Sequence, residues 1–391
     1  MSNKGVTAID GHTVFTPTER FSPGRLIVRN GVIEEAGQQD RIALPPAAKR
    51  VDATKFMVTP GFIDPHIHGC GGVDVMDGTY ETLNAISRIV ARHGTTSFLP
   101  TTVSSPIDVL SSTVEKIGAL LSRTFEGAQP LGIHLEGPFI NAAKRGTHRA
   151  SNVAPPDPEL LRKWIALSRG TIRLITIAPE LNGSDQVTTS ALEAGVTVAM
   201  GHSNASFEQA SQAAARGACY AVHTFNAMRD FTHRDPGIVG AVLSNDDIFA
   251  EIIADGIHVH PSVVRIFAHA KGKARVLLVT DAISATDMPD GQYALGLDQV
   301  EVKDGICRDG EGRLAGSTLS QEVALKNFVK WSSFPFEEAL LGLTLNPARA
   351  LRLGKKGTLA PGADADIAVI DEHFRIMKTF VAGRLVFERA G

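Results

Sequence analysis

Strand-like apolar runs alternate with helical patterns through most of the chain, and this alternation limits the folds open to it. The runs are rich in β-branched and aliphatic residues, and segments with apolar residues three or four positions apart follow most of them. Strands joined in this way form a parallel sheet with helices on its outside. The pattern predicts an α/β fold, a (β/α)8 TIM-like barrel. In chain order the runs are FMVTPGFID, TTSFLPTTV, PLGIHLEG, IRLITIAPE, VTVAMGHS, CYAVHTFNAM, IFAEIIADGIHV and RVLLVTDAIS.

The two ends of the chain have a different pattern, in which short β segments are broken by Gly, Asn and Pro. Asn30 and Gly31, within VRNGVI, are typical of a tight hairpin turn because both residue types tolerate positive φ. The C-terminal segment, which contains DADIAVID, also returns to strands and turns. We expect residues 1–56 and 357–391 to form one small β domain beside a barrel of residues 57–356.

Composition and charge argue against several classes of protein. Apolar residues are 43% and charged residues 21% of the 391, which is ordinary for a soluble globular protein. The formal net charge of −3 gives no reason to expect nucleic acid or a membrane as a partner. The opening segment MSNKGVTAID lacks the apolar core of a signal peptide. Because Cys70, Cys219 and Cys307 are odd in number and far apart, we expect reduced thiols in a cytoplasmic protein.

Potential metal ligands fall at the predicted C-terminal ends of five strands. In a (β/α)8 barrel these ends meet at one rim, where active sites are built. Histidine and carboxylate side chains are common ligands of zinc, iron and related divalent metals. The residues in question are His66, His68, Glu136, His202, His223 and Asp281.

Each of these residues also has an ordinary structural explanation. A single histidine at a strand end is more often a satisfied polar residue than a ligand, and Asp281 is also compatible with a helix N-cap or a loop carboxylate. The convergence of all six on one rim favours a metal site. His66 and His68 are two positions apart in an extended segment, so their side chains share a face and can reach one ion.

Three neighbouring residues are weaker candidates. Cys70 follows the histidine pair and is either a soft ligand or, more commonly for a free cysteine, a small buried hydrophobe. His134 and Asp64 each precede a predicted ligand by two positions. Both either support the metal site from outside the ligand set or belong to the core.

Several segments together carry a resemblance to a known family. The chain resembles the amidohydrolase superfamily and, more narrowly, its N-acetylglucosamine-6-phosphate deacetylases. HLEGPF and NAM are specific to the deacetylases, whereas TLNPARALRL and the passage after it are common to many amidohydrolases. The resemblance implies a distorted barrel with a β-sandwich domain built from both termini. The segments that carry it are PGFIDPHIHGCGG, HLEGPFINAAKRGTH, MGHSNAS, HTFNAMRDFTHRDPGIVGA, IADGIHV, LVTDAIS and LAGSTL.

The resemblance also implies a reaction and its cofactor. The reaction is hydrolysis of the acetamide of an amino-sugar 6-phosphate to acetate and the free amine, a step of amino-sugar recycling. Glu136, His202 and His223 match the metal positions found throughout the family. His66 and His68 occur in only some members, and with Asp281 they imply a second site, which Glu136 bridges. One or two divalent ions per subunit are expected, of zinc, iron, manganese or cobalt, with Asp281 as the catalytic base and acid.

Further positions match residues that hold the substrate in the family. His148 is implied to polarise the acetyl carbonyl. Arg234, His258, Asn226 and the backbone N–H of Ala227 are implied to bind the phosphate. In the family the arginine and the second histidine reach across from a neighbouring subunit, so a homodimer with a shared phosphate site is expected.

Three other functions remain open at this point. The first is the galactosamine counterpart, which needs the same metal and phosphate residues. The second is an amidohydrolase acting on a cyclic amide or a dipeptide, against which the phosphate residues argue. The third is a non-catalytic scaffold, which predicts gaps in the ligand set, and the sequence has none.

Overall fold

A computed structural model describes residues 5–390 of the chain. Residues 1–4, which begin the segment considered above for a signal peptide, and residue 391 lie outside this range. Within it, eight parallel strands form a barrel, paired in chain order. They are β1 (Phe62–Ile67), β2 (Thr95–Thr102), β3 (Ile133–Glu136), β4 (Ile172–Ile177), β5 (Thr197–Met200), β6 (Tyr220–Ala221), β7 (Phe249–Ile252) and β8 (Val276–Leu278).

The barrel closes between β1 and the segment that follows β8. Ile67 pairs in parallel with Ala282. The backbone N–H of His68 donates to the Ala282 carbonyl at 2.8 Å, and that of Asp281 donates to the His66 carbonyl at 3.0 Å. This confirms the predicted (β/α)8 fold, and it brings Asp281 next to the histidine pair although about two hundred residues separate them.

Helices pack on the outside of the barrel and bury one apolar face each against it. In α1, for example, Leu83, Ile86 and Val90 recur at helical spacing and belong to the main core. None of the helices in residues 5–390 combines the length and the apolarity needed to cross a membrane. The α-helices are α1 (Tyr80–Ala91), α2 (Ile107–Leu120), α3 (Pro158–Leu167), α4 (Ser184–Glu193), α5 (Phe207–Ala215), α6 (Gly237–Ser244), α7 (Pro261–Lys271), α8 (Gln321–Ser332), α9 (Phe336–Leu340) and α10 (Leu345–Ala350).

Both ends of the chain join in a single mixed sheet, as predicted. Lys49–Pro60 lies at its centre, parallel to Val6–Phe15 on one side and antiparallel to Ile367–Ile370 on the other. The predicted hairpin is present, with φ of 51° at Asn30 and 81° at Gly31. The remaining strands of this sheet are Arg20–Phe21, Gly24–Arg29, Val32–Gln38, Ile376–Val381 and Arg384–Glu388.

Three features differ from the sequence analysis or were absent from it. The central strand Lys49–Pro60 continues past the division at residues 56 and 57, and Gly61 separates it from β1. The segment after β6, which the sequence left irregular, contains α6, whose uniformly apolar residues give no amphipathic signal. After β8 the chain forms an antiparallel sheet that the sequence analysis missed, with strands Gly291–Leu295, Asp298–Lys303 and Ile306–Asp309.

Short elements complete the fold. Two-residue strands are Gly69–Cys70, Val73–Asp74 and Gln129–Pro130, and the 3-10 helices are Val75–Asp77, Ala142–Lys144, Ala150–Asn152 and Leu341–Leu343. Gly69–Cys70 and Val73–Asp74 pair with each other directly after β1. The glycines between them, Gly71 and Gly72, have positive φ, so the chain turns back on itself immediately after the histidine pair.

Candidate metal centre and active site

Six side chains from five strand ends meet at the rim of the barrel, with Glu136 at their centre. Its Oε1 lies 3.0 Å from Nε2 of His223, 3.1 Å from Nε2 of His202 and 3.2 Å from Nε2 of His66. Its Oε2 lies 3.3 Å from Nε2 of His68. All five side chains are buried. One carboxylate therefore contacts every histidine that the sequence predicted as a ligand.

Asp281 completes a second group beside the first. Its Oδ1 lies 3.2 Å from Nε2 of His68 and 3.5 Å from Nε2 of His66. His66, His68 and Asp281 therefore offer three ligand atoms close enough to share one ion, and Glu136 contacts both histidines. The structure thus brings all six predicted ligands together in three overlapping groups, one of which also includes His148.

Hydrogen bonds on the far side of the rings decide which ring nitrogen faces the centre. Nδ1 of His68 lies 3.1 Å from the carbonyl oxygen of Thr101, and Nδ1 of His202 lies 3.1 Å from that of Lys144. A carbonyl oxygen only accepts, so each Nδ1 carries the proton and donates it. The lone pair of each neutral ring is then on Nε2, which faces Glu136.

The ring nitrogens at the centre fit a cation better than they fit one another. Nε2 of His66 is buried and has no hydrogen-bond partner of good geometry. Nε2 of His202 and Nε2 of His223 lie only 3.1 Å apart, so their lone pairs cannot both point at each other without a proton or a metal cation between them. Buried orphan acceptors of this kind are costly. The imidazole and carboxylate donors suit a divalent transition metal, which these groups could hold.

The charges of the cluster keep its carboxylates ready to act as ligands. Burial alone raises the pKa of Glu136, but the facing histidines, His66 first, hold it well below its ordinary value. The pKa of Asp281 falls to about 2, because His66 and His68 outweigh the effect of burial. Burial lowers the pKa of His202 to about 4, which favours the neutral ring. Neutral imidazole and ionised carboxylate are the forms that bind metal. Against the effect of burial, the facing carboxylates raise the pKa of His66, His68 and His223, so metal binding releases protons from these rings.

Three of the ligands have a backbone conformation that is rare outside glycine. φ is 46° at His202, 27° at His223 and 49° at Asp281. Residues in this region typically cost on the order of 1–3 kcal/mol each and cluster at functional sites. All three directly follow strands or their extensions, so the chain turns sharply and directs their side chains into the rim.

His148 lies above the cluster, and the tautomer of its neutral ring follows from its contacts. Its Nδ1 accepts the backbone N–H of Ser104 at 3.0 Å, so the proton of the neutral ring is on Nε2. Nε2 lies 3.4 Å from Oε2 of Glu136. His148 therefore presents an N–H donor to the space above the metal centre.

A cavity of about 280 Å³ opens from this cluster, and its wall contains most of the predicted substrate residues. His148, Asn226, Ala227 and His258 all line it, together with His68, Glu136, His202, His223 and Asp281. Ala227 has φ of 51°, within the turn that follows β6. Metal ligands and predicted phosphate residues therefore share one cavity.

The two cationic phosphate residues have different positions. His258 lines the cavity of its own chain, whereas the family resemblance implied that it reaches across from a neighbouring subunit. The reason is local: the Asp255 carboxylate accepts the N–H of His258 at 2.8 Å and lies 2.7 Å from its Nδ1, which fixes the ring. Arg234 is exposed and does not line the cavity.

The weaker candidates lie beneath the metal centre. Cys70 is buried outside the ligand groups, and burial raises the pKa of its thiol, so it is a small hydrophobe at this position. His134 lies between the hydroxyls of Thr101 and Thr176, with its ring edge on His66. Asp64 accepts the hydroxyl of Thr280 at 2.6 Å. His134 and Asp64 support the centre from below without entering it.

Sequence reasoning missed Glu251, a fully buried residue of β7. Its Oε2 lies 2.9 Å from Nδ1 of His66. The available signal was its context, IFAEII, because a lone carboxylate inside an apolar strand must find a partner. The other missed contributions come from Leu295, Arg313 and Leu314, which reach the cavity from the sheet after β8 and its connection.

Comparisons with known proteins agree on one family. The sequence matches the amidohydrolase family over residues 57–386. It is 38% identical over 377 residues to the N-acetylglucosamine-6-phosphate deacetylase of Lysinibacillus sphaericus, covering 92% of this chain and 97% of that protein. It is 35% identical over 371 residues to the N-acetylgalactosamine-6-phosphate deacetylase of Escherichia coli O157:H7, with the same coverage of 92% and 97%.

A solved structure shares the whole architecture. It is a mutant N-acetyl-D-glucosamine-6-phosphate deacetylase from Mycobacterium smegmatis in complex with N-acetyl-D-glucosamine-6-phosphate. The TM-score is 0.91 at 32% sequence identity, and the match covers 98% of this chain and 99% of that one. The likeness extends over the terminal sheet as well as the barrel.

Proposed function

The chain belongs to the amidohydrolase family and, within it, to the N-acetylglucosamine-6-phosphate deacetylases, and we propose that it hydrolyses N-acetylglucosamine 6-phosphate to glucosamine 6-phosphate and acetate. The observation that carries the proposal is the cavity of about 280 Å³, whose wall contains both a cluster that could hold a metal ion and the turn with Asn226 and Ala227, to which we assign the phosphate. A substrate that joins an amide to a phosphate matches that pairing. The activity is a step of amino-sugar metabolism.

Glu136, His202 and His223 would hold one ion, and His66, His68 and Asp281, with Glu136 shared, would hold a second. A divalent cation bound there supplies Lewis acidity, which lowers the pKa of water and polarises an amide carbonyl. We propose zinc, iron, manganese or cobalt, with one or two ions per subunit, because histidine and carboxylate sites accept all four.

Asp281 carries the proton through the reaction in this proposal. Its carboxylate accepts a proton from water as the water oxygen bonds to the acetyl carbon. It then gives the proton to the sugar nitrogen, the C–N bond breaks, and acetate and the amine leave. The pKa of about 2, set by His66 and His68 against the effect of burial, keeps the group ionised before the first step.

His148 and the phosphate residues position the substrate. The Nε2–H of His148 points over the cluster, where it can donate to the acetyl oxygen as negative charge develops on it. Asn226, the N–H of Ala227 and His258 bind the phosphate from within the chain. Arg234, which is exposed, binds it from a neighbouring subunit in a homodimer, and its planar guanidinium suits phosphate oxygens.

A cytoplasmic location completes the proposal. The three cysteines are all free, which suits a reducing compartment. The buried positions of Cys70 and Cys307 and the raised pKa values of their thiols also keep these two from disulfide exchange.

Acetate release from pure protein tests the function. The protein, loaded with zinc or cobalt, is given N-acetylglucosamine 6-phosphate, N-acetylgalactosamine 6-phosphate and N-acetylglucosamine without phosphate. We expect kcat/KM for N-acetylglucosamine 6-phosphate to be at least about tenfold higher than for N-acetylgalactosamine 6-phosphate. The changed orientation of one hydroxyl in the second sugar would leave polar groups of the site unpaired. Release of acetate from none of the three would reject the proposal.

The galactosamine counterpart is the second candidate, because a relative of that activity covers the chain almost as fully. Faster turnover of the galactosamine substrate would select it. A dipeptidase or cyclic amidase would release no acetate from either sugar phosphate, and a non-catalytic scaffold would release none from any substrate while still folding normally.

A further inference from the structure

Glu251 is a buried carboxylate that the proposed mechanism does not use. It lies in β7 with no solvent-exposed surface. Its Oε1 accepts the hydroxyl of Tyr220 at 2.7 Å. Its Oε2 accepts the backbone N–H of His223 at 2.9 Å and lies 2.9 Å from Nδ1 of His66. A carboxylate is costly to bury unless such contacts satisfy it, and here two of the three come from residues of the metal cluster, His66 and His223.

The contact with His66 determines how that ring faces the metal centre. A carboxylate oxygen accepts, so Nδ1 of His66 donates and the lone pair of the neutral ring is on Nε2. That Nε2 lies 3.2 Å from Glu136 and 3.5 Å from Asp281 and has no hydrogen-bond partner of good geometry. The ring is therefore fixed from behind, with its free nitrogen directed into the second group of ligands.

His66 differs from the other ligand histidines in this support. His68 and His202 donate to backbone carbonyl oxygens, which are neutral, and Nδ1 of His223 has no hydrogen-bond partner. A carboxylate partner makes an imidazole a stronger ligand than a neutral partner does. His66 belongs to the group with His68 and Asp281 and also lies in a group with Glu136 and His223. Glu251 contacts His223 only at its backbone, so it is the ring of His66 that Glu251 supports directly.

We propose that Glu251 is a positioning residue of the second metal site: without touching the ion, it holds His66 in the tautomer and orientation that complete the site with His68 and Asp281. The inference rests on the proposed metal-dependent function. On this proposal, binding of a second ion depends on Glu251, a residue outside the ligand set. His66 and His68 alone would not ensure tight binding.

The proposal is tested by titrating the metal-free protein with cobalt and monitoring binding by calorimetry and by visible absorbance. We expect two cobalt ions per wild-type chain. Glu251→Gln keeps an oxygen that can accept from His66 and His223 but removes the charge, so we expect one site to weaken roughly 10–100-fold and the other to remain. Tyr220→Phe is the matched control: it removes a donor to the opposite oxygen, and both cobalt affinities should stay within about threefold.

Equal cobalt affinities in Glu251→Gln and wild type, or binding of a single ion by wild type, would overturn the proposal. Melting temperatures provide a second readout. If Glu251 positions His66, cobalt should raise the melting temperature of Glu251→Gln less than that of wild type. If its role is merely structural, the substitution should lower the melting temperatures of the metal-free and the cobalt-loaded protein equally, and this result would refute positioning. Cobalt binding needs no substrate, so this result is independent of acetate release, which alone decides the proposed function.

Discussion

Asp281 combines a strained backbone, a low pKa and contact with two histidines, and this combination predicts its role. Asp281→Asn keeps the size of the side chain but cannot accept a proton from water. We expect kcat to fall roughly 10²–10⁴-fold, the range for loss of a general acid or base, with melting temperature changed little. Steady-state acetate release and thermal unfolding measure the two effects.

The control for this change is Asp304→Asn. Asp304 is an exposed residue of the sheet after β8, with φ of 53°, so it shares the left-handed backbone of Asp281 without its surroundings. Asparagine tolerates this backbone well, and activity should be unchanged. Near-normal turnover in Asp281→Asn would remove Asp281 from the proton-transfer role.

At the scale of residues, the sequence predicted the ligands better than their supports. A histidine or carboxylate at a strand end is visible in the sequence, and the barrel rule says where it goes. The supports Thr101 and Lys144 act through backbone carbonyls, which carry no sequence signal. The sequence identified His258, but its orientation depends on a turn made by Asp255 that carries no sequence signal of its own.

At the scale of elements, His93 links three parts of the barrel. It follows α1, its Nδ1 lies 2.7 Å from Glu322 at the start of α8, and its Nε2 lies 2.9 Å from Asp287 in the loop after β8. Burial alone lowers the pKa of His93, but the hydrogen bonds to both carboxylates raise it to about 10 from an ordinary value of 6.5. The protonated ring therefore links the end of α1 to the loop after β8 and to the start of α8.

The raised pKa of His93 predicts a pH-dependent contribution to stability. The contribution is fully present below the unfolded-state pKa of about 6.5 and is lost as the pH rises towards the folded-state pKa of about 10. His93→Gln should cost on the order of 1–3 kcal/mol at pH 6 and progressively less at pH 8 and 9.5. Denaturant unfolding of wild type and variant at each pH measures the difference. In an Asp287→Asn background the pH dependence should weaken, and a difference that does not vary with pH would contradict this account.

Gly61 marks the junction between the terminal sheet and the barrel. A Cβ there would lie 2.2 Å from Cγ2 and 2.3 Å from Oγ1 of Thr96, which is itself fully buried at the start of β2. Gly61→Ala should therefore destabilise the protein by about 1–3 kcal/mol, as overpacking does. Gly354→Ala is the control, because a Cβ at Gly354 meets nothing within 4 Å. Equal unfolding midpoints for the two variants in guanidinium would refute the clash.

The elements were predictable where local pattern and global fold agree. Seven of the barrel helices and all eight strands have the periodicity or apolar run expected of them, since each lies half or fully against the core. α6 is apolar on all sides, so it lacks the contrast between faces on which such predictions depend. The sheet after β8 does have a signal that the sequence analysis missed, because Val300 and Val302 are buried and alternate with exposed polar residues.

At the scale of the whole molecule, the strand pattern alone could not show that the two termini join; the inference that they do agrees with what the family resemblance implies. Arg234 is exposed and lies outside the cavity whose wall contains the other proposed phosphate residues. If Arg234 acts in its own chain, it must move into that cavity. If it acts in the neighbour's site, each active site is complete only in the dimer. Dimers that combine one chain altered at Arg234 with one chain altered at Asp281 distinguish the two cases.

Arg234→Ala should lower kcat/KM for the phosphorylated sugar roughly 10–100-fold by raising KM, because charged hydrogen bonds to the phosphate are lost. The kcat/KM for the unphosphorylated sugar should be almost unaffected.

Co-expression of Arg234→Ala with Asp281→Asn then tests which chain supplies the arginine. A mixed dimer has one site with both an intact Asp281 and a partner's Arg234, so random pairing should restore about one quarter of wild-type activity at low substrate concentration. Action within one chain predicts no recovery beyond the average of the two parents, because no site in the mixed dimer is then complete. As the control, Arg41→Ala, a change of an exposed turn residue, is co-expressed with wild type, and this mixture should keep full activity.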